Sequence, residues 1–160
     1  MAYGRGGPYA DTHTEETSTV LQCTAVTATP QLEALEALEE MEGGPDDADS
    51  HLDHHEHLLC RLSEHDETTE HAAHLWTAET NPSRGLWLLW TGASAHRVYR
   101  FAVFAECPAV LHDVEQGSRQ WCGLPGDHAL PHSFHVKDPL RDLLTERIRR
   151  EAHRRPADDE

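Results

Sequence analysis

The chain has 160 residues, enough for one domain with a buried core. Its 29 acidic and 13 basic residues give a formal charge of -16, a field that repels nucleic-acid phosphates and anionic lipid and favours a basic protein partner. It contains no run of about 18 apolar residues and its start lacks the apolar core of a signal peptide, so no membrane span and a cytoplasmic location are expected.

The charge is unevenly placed: residues 1–80 carry 18 acids against two bases, whereas residues 81–160 carry 11 of each. Residues 1–17 mix glycine, proline, threonine and acids without periodicity, which predicts a mobile tail. Residues 18–27 are rich in β-branched side chains, with Leu21, Cys23 and Ala25 on one alternating face, and predict a strand. Thr29-Pro30 then resembles a helix start, and Leu32, Leu35, Leu38 and Met41 recur every three residues among glutamates until Gly43-Gly44-Pro45 ends the pattern.

Residues 51–77 predict more helix, broken near Asp66–Thr69, with Leu52, Leu59 and Leu62 along one side and Ala72, Ala73, Leu75 and Trp76 closing the far end. After the turn Asn81–Gly85 the texture changes. Leu86–Trp90 is apolar on both faces, as in a central strand, and a short loop at 91–95 leads into a second strand at 96–104, forming a hairpin. Short strands are expected at 109–115, 119–122 and 132–136. Asp138-Pro139 starts an amphipathic helix carrying Leu140, Leu144 and Ile148 to about residue 153, and 154–160 reads as a disordered end.

These elements predict an α+β fold: a small, mainly antiparallel sheet with an acidic N-terminal helical segment and a C-terminal amphipathic helix, in one domain spanning 18–153. Trp87, Trp90, Tyr99, Phe101, Phe104 and Trp121 are the expected aromatic core, with the last helix packed on the sheet.

Fourteen histidines are the compositional anomaly, and seven of them fall between His51 and His74. On a helix, side chains three or four apart share a face, so His51, His54, His55, His57, His71 and His74 are candidate ligands for a transition metal such as zinc or nickel. The zincin pattern His-Glu-x-x-His is absent, so the signal is density and not a motif. A second candidate region runs from Cys122 to His135, where Cys107, Cys122, His128, His132 and His135 offer zinc donors, although the cysteine spacing lacks a paired knuckle. The four cysteines, separated by 37, 47 and 15 positions, match no disulfide framework and read as free thiols.

Nucleotide-binding loops and the hydrolase nucleophile elbow are absent. Two functions follow. One is a nonenzymatic interaction or accessory protein engaging a basic or amphipathic protein partner through its acidic helical half. The other is a metal-associated protein or small metal-dependent enzyme using His51–His74 or Cys122–His135.

Overall fold

The computed structural model describes residues 20–154; of the expected tails, 1–17 and 155–160 lie outside the described residues, and Arg154 is helical instead of disordered. At its centre is a three-stranded antiparallel sheet in the order β4 (His71–Ala78), β5 (Arg84–Thr91), β6 (Val98–Ala105). The expected hairpin is present, with Leu88 opposite Phe101 and Trp90 opposite Tyr99. Gly92 makes its turn at a φ of 72°, where a Cβ would stand 2.5 Å from the His96 carbonyl oxygen, so only glycine fits. Every residue from Gly85 to Trp90 is buried, as expected of a strand covered on both faces.

Among the described residues, three two-stranded ladders accompany this sheet. β2 (Val26–Ala28) pairs antiparallel with β3 (His57–Leu59), and β7 (Val110–Asp113) pairs antiparallel with β8 (Ser118–Trp121). β1 (Val20–Leu21) runs parallel to β9 (Val136–Lys137), joining the start of the described chain to the segment before the last helix. Three α-helices complete the mixed α+β architecture: α1 (Gln31–Glu40), α2 (Ala48–Leu52) and α3 (Pro139–Arg154).

In α1, Ala34 and Leu38 stand four apart and are fully enclosed, while Leu32 faces solvent at 76% exposure. α2 packs on α1 and buries Ala48 and Leu52; its start is capped by the Asp47 carboxylate, which accepts from the Ser50 N–H at 3.1 Å. These residues join Leu58, Leu62, Leu75, Leu86, Leu88, Trp87, Trp90 and Leu124 in one core.

Three expectations are corrected. The segment 51–77 is not helical beyond Leu52: it forms β3, a loop, and β4. A strand apolar on both faces needs a neighbour on each edge, and β5 recruits His71–Ala78 for the edge opposite β6, overriding the helical propensity of Ala72, Ala73 and Leu75. The acidic half is therefore not mainly helical among the described residues; its helices are α1 and α2 alone. Second, α3 forms where expected, with Asp138 Oδ1 accepting from Arg141 N at 3.1 Å, but buries none of its residues; Leu140, Leu143, Leu144 and Ile148 are all exposed. The core it was expected to cover is filled by α1, α2 and the segments around Cys60 and Cys122. Third, Trp121 is 63% exposed, because it ends β8, a strand with no buried residue.

Candidate metal centres

Two places in this fold bring two cysteines and two histidines together. In the first, Cys23 follows β1, Cys60 follows β3, His65 lies in the next loop and His71 opens β4. In the second, Cys107 follows β6, Cys122 follows β8, and His128 and His132 lie in the loop leading to β9. Within each group the four donor atoms all lie within 4.8 Å of one another, so each could hold a metal ion.

The backbone builds both in the same way. Cys23 N–H donates to Leu62 O and Cys60 N–H to Ala25 O, each at 2.9 Å. Cys107 N–H donates to Leu124 O at 3.0 Å and Cys122 N–H to Ala109 O at 2.9 Å. Each cysteine thus donates to the carbonyl two residues beyond its partner cysteine. The antiparallel bridges one position outside repeat the register, Gln22 opposite Ser63 and Glu106 opposite Pro125. This exchange sets the two sulfurs of each pair side by side.

Side-chain geometry repeats as well. Cys23 Sγ lies 3.5 Å from His71 Nδ1 and Cys60 Sγ 3.6 Å from His65 Nε2. Cys107 Sγ lies 3.5 Å from His132 Nδ1 and Cys122 Sγ 3.5 Å from His128 Nε2, with 3.2 Å between the two ring nitrogens. Metal bonds of about 2.3 Å to sulfur and 2.05 Å to nitrogen at tetrahedral angles place sulfur and nitrogen about 3.6 Å apart, and two nitrogens about 3.3 Å apart. These four sulfur–nitrogen separations and the one nitrogen–nitrogen separation match the edge lengths of a metal-sized tetrahedron.

The rings are oriented for this task. His65 Nδ1 donates to Asp66 O at 2.9 Å and His128 Nδ1 to Leu130 O at 2.7 Å, leaving the Nε2 lone pair of each for the cluster. His71 is the cross-strand neighbour of Trp90, and their ring centres are 5.1 Å apart. Without a cation the thiols resist ionisation. Burial, reinforced by the Cys23 thiol, pushes Cys60 up to about 11, and burial together with Cys122 raises Cys107. Desolvation, helped by His65, lowers the pKa of His71 and keeps its ring neutral, the form that ligates.

Of the six histidines expected as ligands, only His71 enters a four-donor group. His54 and His57 are exposed. His51 donates from Nε2 to Leu75 O, His55 from Nδ1 to His51 O, and His74 pairs through Nε2 with Thr77 Oγ1. In the Cys122–His135 region the structure unites Cys107, Cys122, His128 and His132, while the His135 ring centre stands 6.5 Å from that of His132.

Cys23, Cys60 and His65 were missed as candidate ligands, yet a signal existed. Cys23-Thr24-Ala25-Val26 recurs as Cys107-Pro108-Ala109-Val110, and Cys60-Arg61-Leu62 as Cys122-Gly123-Leu124, with histidines five and eleven, or six and ten, positions after the second cysteine. No family model, curated protein or solved structure matches the chain.

Proposed function

We propose that this chain is a nonenzymatic, zinc-stabilised interaction protein. Two Cys2His2 centres hold its lobes in place while its acidic first half meets a basic protein partner. The observation that carries the metal reading is the gathering of two cysteines and two histidines in each group, with sulfur–nitrogen separations that match tetrahedral edges. Two thiolates and two imidazoles in that geometry favour zinc over nickel, which takes square-planar or octahedral surroundings in nitrogen and oxygen sites. Four protein ligands fill the coordination sphere and leave no position for water or substrate, which supports a structural and not a catalytic role. Four reduced thiolates also fit a reducing compartment such as the cytoplasm. No helix among the described residues is long and apolar enough to cross a membrane.

The acidic surface supports the partner reading: α1 exposes Glu33, Glu36, Glu39 and Glu40 on its solvent side. Elemental analysis of the untagged chain tests the metal reading. Two zinc ions per chain are expected, falling to one in Cys107→Ser and to one in Cys60→Ser. Metal-free, folded protein would overturn it, as would zinc content unchanged by both substitutions.

A further inference from the structure

His51 and His55 take no part in either Cys2His2 centre, yet they share the preparation found there. Their ring centres are 4.5 Å apart, against 4.6 Å for His65 and His71 and 4.9 Å for His128 and His132. Each ring commits one nitrogen to a backbone carbonyl at 2.8 Å: His51 Nε2–H donates to Leu75 O and His55 Nδ1–H to His51 O. The carbonyls fix both tautomers, leaving lone pairs on His51 Nδ1 and His55 Nε2. Both side chains are half-buried and anchored, His51 by α2 and by the edge of β4, and His55 by the turn that follows α2.

We infer that His51 and His55 form a third metal site, different in kind from the other two: an open, all-nitrogen pair for a borderline divalent ion such as nickel. A metal about 2.1 Å from each nitrogen lies about 3.2 Å from each ring centre, so two rings bound at a right angle have centres about 4.5 Å apart. The observed spacing, like the 4.6 Å and 4.9 Å of the other two pairs, is within reach of one shared ion, and the all-nitrogen donor set decides which ion. With no thiolate in the pair, the site lacks the softness that draws zinc into the Cys2His2 groups. Water completes the coordination sphere, so the ion exchanges.

Trp76 provides the readout, because its ring meets the His51 ring edge-on with centres 5.1 Å apart. The untagged, zinc-loaded chain is titrated with nickel(II) chloride while tryptophan fluorescence and zinc content are followed together. The expected result is a saturable quench at one nickel per chain with zinc content unchanged. In His55→Ala, which removes one of the two protein ligands, the dissociation constant rises by at least about 10-fold to 100-fold, the loss that follows from removing even an outer-shell partner of a ligand. His54→Ala and His57→Ala, which alter exposed neighbours, leave it unchanged. A quench that does not saturate, that survives in His55→Ala, or that weakens equally in all three variants overturns the inference. Starting zinc content other than two per chain contradicts the Cys2His2 reading, whereas the nickel titration still reports on this pair.

Discussion

Cys122→Ser removes one ligand of the second centre with almost no change in side-chain volume, so its effect reads the metal and not a cavity. Between Glu106 and Arg154 the buried residues are only Cys107, Cys122, Leu124 and Pro125. Fully burying a leucine contributes about 2 to 3 kcal/mol, whereas a structural zinc site contributes on the order of 10 kcal/mol at neutral pH. Zinc bound there, as proposed, would therefore dominate the order of this lobe. Hydrogen exchange resolved by peptide measures the loss: the amides of Cys107 and Gly126, bonded to Leu124 O and Ala105 O, should lose protection in the variant. Losing even about 4 kcal/mol of local stability accelerates exchange about a thousandfold. The amides of β5, enclosed between β4 and β6, should change by less than about tenfold, since both of its hydrogen-bonded neighbours lie outside this lobe and most of the core it shares with Cys122 and Leu124 remains. Retained protection at Cys107 and Gly126 would refute the claim that the metal orders the lobe. An equal collapse of β5 would refute the claim that its action is local.

Two further tests address the rest of the molecule. The pKa of His74 is lowered by desolvation, then by Arg61, His51 and His55. The unfolded chain binds its proton more readily, so this stability is complete above 6.5 and is lost as pH falls through the lower folded value. Urea midpoints of His74→Gln should accordingly depend less steeply on pH below about 6.5 than those of the parent chain, and an identical slope would contradict the reading. Leu38→Ala, at a site with no solvent exposure, should cost about 2 to 5 kcal/mol by urea unfolding, whereas Leu144→Gln on the uncovered face of α3 should change stability by less than about 0.5 kcal/mol. A large loss from Leu144→Gln would mean that α3 packs on the body.

What the sequence made legible was local. Leu86–Trp90 signalled a strand buried on both faces, Gly92 the turn after it, and Asp138-Pro139 the start of α3, each through contacts within a few residues. β4 was hidden because His71–Ala78 has no strong strand pattern of its own and becomes a strand only beside β5. The candidate metal ligands were obscured for a related reason. Cys23 meets Cys60 across 37 residues through the backbone exchange between Cys23–Ala25 and Cys60–Leu62. Histidine density drew attention to the whole of 51–74, but the histidines of the four-donor groups are the ones that follow a Cys-x-Leu segment. The repeated Cys-x-Ala-Val and Cys-x-Leu segments mark the centres better than composition does, because they encode the backbone exchange that aligns the sulfurs.

The two properties that set this chain apart, its acidity and its paired centres, are physically independent. A zinc ion carries two positive charges and the two thiolates created on binding carry two negative ones, so a Cys2His2 centre built from neutral thiols leaves the formal charge at -16. Loading the metal therefore neither draws on the acidic surface nor neutralises it. The first centre lies inside the main core, where Cys60 is 1% exposed, and the second holds a lobe with few buried side chains. β1 and β9 connect them: Gln22, beside Cys23, donates from its backbone N–H to Lys137 O at 2.9 Å. Salt that screens the surface field within about 8 to 10 Å leaves the coordination bonds untouched. Salt should therefore weaken the proposed partner contact while the metal-held fold persists, which separates the acidic surface from the scaffold that carries it.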